Sequence, residues 1–183
     1  MKVQGFSVGP FQENTYLVID EQAKRAVLID PGDEVPRLLR ALDASGATLD
    51  AIWVTHGHMD HVGAIAAVLR ARPVPVRMHP GDLPLYRAAA EHGLAFGATI
   101  EQPPDPTAEL ADGQKLRVGD VEFTVMHAPG HSPGHVVIHG NGVAFVGDCL
   151  FAGSIGRTDL PLANGAQLTA TLERIAALDP ATV

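Results

Sequence analysis

Residues 56–61 of the sequence, HGHMDH, place three histidines and one aspartate in six consecutive positions. Alternate side chains of an extended segment point to the same face, so His56 and His58 can reach one metal ion. Asp60 and His61 follow where we expect the chain to turn into a helix, and they can serve a second, adjacent ion. The pattern therefore predicts metal binding. A solvated polar loop after a strand is the competing interpretation.

A metal site needs ligands from elsewhere in the chain, because zinc takes about four of them. The Gly- and Pro-rich segment HAPGHSPGH contains His127, His131 and His135, and Asp148 ends the apolar run VAFVGD. Loops that follow strands carry functional side chains more often than strand interiors do. We therefore expect these two loops to complete the site.

Three histidines and the cysteine have structural interpretations that compete with a metal-binding role. His79, in the segment MHPGD, fits a hydrogen-bonded structural histidine as well as a ligand. His127 and His135 flank His131 and fit a supporting role, because one loop delivers only one or two side chains to a point. Cys149 follows Asp148, and strand alternation predicts a small buried residue that points away from it.

Three further polar residues each have two interpretations. Asp30, in LIDPG, is either a plain turn residue before Pro-Gly or a support that hydrogen-bonds to the ligand loop. Arg157 and Asp159, in GRTD, form either a structural ion pair or a device that orients the substrate or the metal loop.

Strands and helices alternate along the chain and place these residues in loops. Period-2 and β-branched segments predict strands at NTYLVID, RAVLID, LDAIWVTH, VPVRMH, QKLRV, VEFTVMH, HVVIH and VAFVGD. Helical spacing of apolar residues predicts helices from residue 35 to 46, from 62 to 69, from 83 to 92 and from 168 to 178. A Pro-rich loop is predicted for residues 97–109. The alternation favours one layered α/β domain over residues 1–183.

Composition narrows the possible partners. The chain has 183 residues, a net charge of -8 and thirteen scattered Lys and Arg residues, which disfavours nucleic acid as a partner. Its longest apolar stretch, residues 62–69, is far short of the ~20 residues of a membrane helix. With one cysteine and no apolar N-terminal segment, we expect a cytoplasmic protein.

The order and separation of these motifs resemble the metallo-β-lactamase superfamily, and within it the small glyoxalase II-like hydrolases. The resemblance rests on H-x-H-x-D-H at residues 56–61, His131 in a Pro-Gly-His loop, Asp148 in a Gly-Asp at a strand end, LIDPGD, and FAGSIGRTDLP. It implies a four-layer αββα sandwich with two divalent metal ions at one edge, between the sheets. It also implies that the first ion is held by His56, His58 and His131, and the second by Asp60, His61 and a bridging Asp148.

The segment after residue 178 departs from the superfamily pattern. Such proteins usually continue into a short strand and a Gly-His-Gly loop whose histidine completes the second site, whereas the sequence given stops at Val183, so we expect the usual last strand and helix to be missing from it. We therefore expect the second ion to bind more weakly than the first, through Asp60, His61 and Asp148, with water in the remaining positions.

The resemblance implies hydrolysis. Two adjacent divalent ions lower the pKa of a shared water to near neutrality, which supplies a hydroxide nucleophile at pH 7. A thiolate leaves readily because its thiol has a pKa near ~8.5, whereas a lactam amine must be protonated as it departs, a task for Asp60 or a bound water. We therefore expect a thioester substrate, such as a hydroxyacyl-glutathione.

Two other functions stay open on the sequence. One is an iron-dependent persulfide dioxygenase-like enzyme, with His56 or His58, His131 and Asp148 around one iron. The other is a metal-binding fold that has lost its activity. We expect zinc as the metal, while histidine and aspartate ligands accept iron and manganese as well.

Overall fold

A six-stranded sheet is built by the first 109 residues. The computed structural model describes residues 1–183, and the strands of this sheet follow one another in chain order: β1 Lys2–Val8, β2 Glu13–Asp20, β3 Arg25–Ile29, β4 Thr48–Trp53, β5 Val76–Met78 and β6 Ala108–Glu109. Strands β1 to β3 are antiparallel, whereas β3 to β6 are parallel. The parallel pairs need crossover segments, and these segments contain the helices.

A second, antiparallel sheet follows in the order β10-β9-β8-β7. Its strands are β7 Lys115–Val118, β8 Val121–His127, β9 Val136–Gly140 and β10 Val143–Phe145, and a small hairpin of β11 Leu150–Phe151 and β12 Ser154–Ile155 comes next. The helices are α1 Val35–Ser45, α2 Met59–Val62, α3 Ile65–Ala71, α4 Leu83–Arg87, α5 Ala89–Ala95 and α6 Gly165–Ala176.

Side-chain alternation in the strands creates the layers. In β2, Leu17 and Ile19 pack with the buried residues of the helices, whereas Val18 between them packs toward the second sheet. Trp53 and Phe123 meet between the sheets, edge to face, with ring centroids 5.8 Å apart. A third apolar cluster joins the second sheet to helix α6. The result is the expected four-layer αββα sandwich.

The helix predicted from residue 62 to 69 is interrupted, and this prediction was wrong at its start. Helix α2 ends at Val62 and α3 begins at Ile65. A Cβ atom on Gly63 would lie 2.7 Å from the carbonyl oxygen of Gly32, and the Ala64 amide donates to the Pro31 carbonyl. Contact with the loop after β3 therefore replaces the regular helical hydrogen bonds at this point.

The helix predicted from residue 83 to 92 is also divided, at Ala88. The side-chain amide of Gln102 donates to the Tyr86 carbonyl at 2.9 Å and accepts from the Ala90 amide at 3.1 Å. These two backbone groups would bond to each other in a continuous helix. A side chain inserted into the ladder kinks a helix, so Gln102 accounts for the break.

None of the helices combines the length and the apolar character needed to cross a membrane.

Candidate metal centre

Loops from both sheets converge on the predicted ligands. His56 and His58 follow strand β4, and His61 lies in the short helix α2. His131 lies in the loop between β8 and β9, and Asp148 follows β10. Because β4 belongs to the first sheet and β8 to β10 to the second, the candidate centre lies where the two sheets meet at one edge.

His56, His58 and His131 form one close cluster. One ligand atom from each of the three side chains can be chosen so that all three atoms lie within 4.8 Å of one another. His58 Nδ1 lies 2.9 Å from His131 Nε2. An ion that binds imidazole nitrogen at ~2.0–2.1 Å reaches both of these atoms.

Hydrogen bonds orient two of these rings. Thr55 donates its hydroxyl hydrogen to Asp30 at 2.5 Å, so its oxygen can accept from His56 Nδ1 at 3.1 Å. His131 Nδ1 lies 2.9 Å from the Arg157 carbonyl oxygen, which can only accept, so Nδ1 carries the proton. In both rings the Nε2 lone pair is then left for a ligand, as is usual for metal-binding histidines.

The second predicted set is only partly assembled. Asp148 Oδ1 lies 3.2 Å from His61 Nε2, while Asp60 Oδ2 lies 4.0 Å from the same atom. Asp30 Oδ2 lies 3.0 Å from His61 Nδ1, and Asp30 also accepts a hydrogen bond from the Thr55 amide at 2.7 Å. The interpretation of Asp30 as a support of the ligand loop is thus confirmed, and the plain turn residue was wrong.

The protonation states differ between the two predicted ligand sets. Burial lowers the pKa of His58 to about 3 and that of His56 well below its ordinary value. Burial also acts to lower the pKa of His61, but hydrogen bonds to Asp148 and Asp30 outweigh it and raise that pKa. Although burial acts to raise the pKa of Asp148, His61 holds it below its usual range. His56 and His58 are therefore neutral and Asp148 is ionised, whereas His61 carries a proton that a bound cation would have to displace.

The His56 side chain supplies a direct test of whether a metal ion fits. Its ring is fully buried, and its Nε2 atom has no hydrogen-bond partner. A buried polar atom without a partner costs free energy, so native proteins rarely keep one unless it has a function. The donor set of imidazole nitrogens and carboxylate oxygens suits zinc, iron or manganese. The residues present fit a divalent metal.

The remaining candidate histidines support this centre or lie beyond it. His135 is buried and stacks on His56, and its Nε2 accepts a hydrogen bond from the Asp148 amide at 3.1 Å. His79 and His127 stack on each other, with ring centroids 4.2 Å apart. They belong neither to the cluster of His56, His58 and His131 nor to a second group, Asp30, His56 and His61, whose ligand atoms also lie within 4.8 Å of one another. Cys149 is buried as predicted, and burial raises the pKa of its thiol to about 12.

Arg157 and Asp159 form the ion pair that the sequence suggested. The guanidinium group donates to the two carboxylate oxygens at 2.7 and 2.8 Å. The pair is exposed, so its contribution to stability is small. Arg157 also contacts the centre through its backbone, because its carbonyl oxygen orients the His131 ring.

Asp82 is a residue that the sequence did not single out. Its buried carboxylate accepts hydrogen bonds from the Gly57 amide at 2.9 Å, the Ser132 hydroxyl at 2.6 Å and the Gly134 amide at 2.5 Å. Gly57 lies between His56 and His58, and the other two donors follow His131. Asp82 therefore joins the two loops that carry the predicted ligands of the first ion.

Two glycines allow this close approach. A Cβ atom at Gly57 would lie 2.8 Å from the carbonyl oxygen of Asp82, and one at Gly134 would lie 2.4 Å from the Asp82 amide nitrogen. Any larger residue would push a ligand loop away from Asp82. The glycine of HGH and the glycine of HSPGH thus both serve the geometry of the centre.

We expect Asp82→Ala to lower the free energy of unfolding by about 3 kcal/mol and to weaken metal binding by about 10–100-fold. Removal of the carboxylate leaves buried donors without a partner and frees two ligand loops. Chemical denaturation and metal titration measure the two effects. The matched control is Asp105→Ala, which removes an exposed ion pair with Arg87 and should cost less than about 1 kcal/mol. Wild-type metal affinity in Asp82→Ala would refute the positioning role.

Comparison with known proteins settles the family. The family model described as the metallo-beta-lactamase superfamily matches residues 8–183. The chain belongs to this superfamily. The hydroxyacylglutathione hydrolase GloC of Haemophilus influenzae is 36% identical over 170 residues, which cover 88% of this chain and 77% of that protein.

Two solved structures are similar to this chain over most of its length and most of their own. TTHA1623 in a di-iron-bound form is 45% identical, with a TM-score of 0.88, and the match covers 97% of this chain and 87% of that one. The B3 metallo-beta-lactamase BLEG-1 is 34% identical, with a TM-score of 0.86, and the match covers 94% and 84%. Family membership and the names of these relatives indicate a metal-dependent hydrolase.

Proposed function

We propose that the protein is a metal-dependent thioester hydrolase, with hydroxyacyl-glutathione as its reference substrate. The observation that carries this proposal is the cluster of His56, His58 and His131, whose ligand atoms lie within 4.8 Å of one another. These three would hold the first ion. Asp60, His61 and Asp148 would hold the second, with Asp148 between the two. Such ions supply a nucleophile from water at neutral pH and polarise a substrate carbonyl.

The protein's own residues keep the donor atoms fixed and ready. His131 is oriented by the Arg157 carbonyl, and His56 by the Thr55 hydroxyl. The Asp148 backbone is held by His135, so its carboxylate stays beside His61 and His131. Preorganised groups do not have to reorganise during the reaction, and this makes their electrostatic effect large.

Asp60 is the candidate for proton transfer. Its side chain is partly exposed and lines the cavity that also contains His58, His131 and Asp148. A carboxylate with access to both substrate and solvent can accept the proton of the attacking water and release it. A thiolate leaving group then departs without needing that proton, since thiols have a pKa near ~8.5.

We expect the metal-loaded protein to hydrolyse lactoylglutathione at least about 10-fold faster, in kcat/KM, than benzylpenicillin. The reason is the leaving group: the lactam nitrogen must be protonated as it departs, whereas the thiolate need not be. Thiol release and lactam absorbance measure the two rates on one preparation. A lactam is a stringent comparison substrate, because the chain is similar to the B3 metallo-beta-lactamase BLEG-1. Faster turnover of the penicillin would overturn the thioester assignment.

An iron-dependent persulfide dioxygenase is a second candidate. His58 Nδ1 lies 2.9 Å from His131 Nε2, and Asp148 Oδ2 lies 3.5 Å from that same nitrogen. Two histidines and one carboxylate are therefore close enough together to bind a single ion. This donor set suits iron with open positions for oxygen. The likeness to a di-iron-bound protein agrees with iron as the metal. Oxygen consumption with glutathione persulfide, without thioester turnover, would favour this candidate. Silence in both assays with metal bound would favour a fold without activity.

A further inference from the structure

A cavity of about 350 Å³ opens beside the candidate metal centre. Four of its lining residues belong to the centre: His58, Asp60, His131 and Asp148. Six others are apolar: Phe11, Met59, Leu85, Phe96, Leu160 and Pro161. A cavity of about 150 Å³ is large enough for benzene. The space beside the centre therefore accommodates an aryl or branched alkyl group.

Phe11 and Phe96 give this cavity an aromatic side that remains available to a ligand. They come from the β1–β2 turn and from the end of α5, and their rings meet edge to face with centroids 6.4 Å apart. Phe11 is 43% exposed and Phe96 is 58% exposed. Two aromatic rings held together with this much free surface favour an apolar partner, because burial of that surface is favourable.

The cavity offers few basic side chains to an anionic ligand. Arg157 is the one lysine or arginine among the lining residues, and its guanidinium group is engaged by Asp159. The two neighbouring cavities, which share Phe11 and Asp60 with this one, contain no lysine or arginine. The whole chain carries a net charge of -8. Apart from the proposed metal ions, which the thioester carbonyl would approach, these cavities offer no lysine or arginine that is free to pair with the two carboxylates of glutathione.

We infer that this cavity selects thioesters that carry an uncharged apolar group, such as phenylacetyl, over the anionic lactoylglutathione. The inference rests on the proposed thioester hydrolysis and specifies its substrate class. The apolar group can belong to the acyl part or to the thiol part of the substrate, because both flank the carbonyl carbon that must reach the centre. The shared chemistry is an uncharged apolar group next to the thioester.

A substrate panel tests the inference and separates the two placements. Its members are the phenylacetyl and acetyl thioesters of N-acetylcysteamine, the acetyl thioester of benzyl mercaptan, and lactoylglutathione. We expect kcat/KM for phenylacetyl-N-acetylcysteamine or for the benzyl thioester to exceed that for the acetyl compound and for lactoylglutathione by about 10-fold or more. Preference for the phenylacetyl compound would show that the acyl part enters the cavity, and preference for the benzyl thioester would show that the thiol part does. Preference for lactoylglutathione, or equal rates throughout, would overturn the inference.

Two variants link the preference to the cavity. We expect Phe96→Ala to lower the ratio of kcat/KM between the preferred aromatic substrate and acetyl-N-acetylcysteamine by about 10-fold. The control is Leu94→Ala, which removes a side chain that is 69% exposed and does not line the cavity, and it should leave the ratio unchanged. If Phe96→Ala lowers both rates alike, its role is structural and the assignment of the cavity is wrong.

A binding measurement keeps the inference separate from the proposed hydrolysis. The probes are stable thioethers of N-acetylcysteamine that carry a phenylethyl or an ethyl group, titrated calorimetrically into wild-type protein and Phe96→Ala. If wild-type protein binds the phenylethyl compound more tightly than the ethyl compound and Phe96→Ala does not, the cavity's selectivity is supported. This conclusion holds even if no thioester is hydrolysed, and in that case only the proposed function fails. Equal binding of both thioethers would refute the selectivity.

Discussion

We expect His58→Ala to lose both its bound metal and its thioester hydrolysis. His58 supplies one of three clustered imidazoles, and its Nδ1 lies 2.9 Å from the His131 ring. Loss of an outer support of a metal ligand already weakens binding by about 10–100-fold, so loss of a ligand should cost more than that. Elemental analysis of the dialysed protein measures the metal, and thiol release measures the activity.

The matched control for this variant is His139→Ala. His139 lies on strand β9 of the second sheet and belongs neither to the cluster of His56, His58 and His131 nor to the group of Asp30, His56 and His61. Its removal should leave metal content at the wild-type level. A His58→Ala protein that is folded by circular dichroism and retains wild-type metal and turnover would show that the assigned centre is wrong.

Asp60→Asn should lower kcat by about 10²–10⁴-fold while the ion at His56, His58 and His131 is retained. Asparagine keeps the size of the side chain but cannot take up a proton, and general acid–base catalysis contributes effects of this magnitude. Asp60 lines three adjoining cavities, so its carboxylate is open to substrate as well as to solvent. Steady-state kinetics and the number of ions bound per chain, measured on one sample, separate the loss of proton transfer from the loss of the second ion, which Asp60 would also help to hold.

An isosteric change at a neighbouring carboxylate controls for the altered charge. Asp33 is exposed and lines the cavity next to Asp60. Asp33→Asn removes the same charge without touching the centre, and its kcat should stay within about 2-fold of the wild type. If the two variants lose activity equally, Asp60 acts through charge alone and has no role in proton transfer.

Regular alternation made the layers of the fold predictable from sequence. Val18 lies between Leu17 and Ile19 and faces the opposite layer, as period-2 patterning requires. The helix breaks were not predictable in this way. Gln102 interrupts the helix at Tyr86 and Ala90 through hydrogen bonds over 12 to 16 residues, and local periodicity carries no trace of such a contact.

Some residues of the candidate site could also be predicted from the sequence, and others could not. The dense histidine pattern of residues 56–61 and the Pro-Gly-His loop at His131 are unusual in sequence, so His56, His58 and His131 could be predicted as ligands. Asp82 gave no such signal, because an aspartate before a helix is commonplace. Its donors lie 25, 50 and 52 residues away along the chain, so only the fold reveals that it joins the ligand loops.

The metal dependence of thioester hydrolysis tests the central claim most directly. The protein is stripped with a chelator, assayed for thiol release from a thioester, and then titrated with zinc, iron or manganese while bound metal is determined by elemental analysis. We predict no turnover in the stripped protein and a recovery that rises in proportion to the metal bound. The same titration of His58→Ala should restore nothing. Undiminished turnover by the metal-free protein would contradict the account.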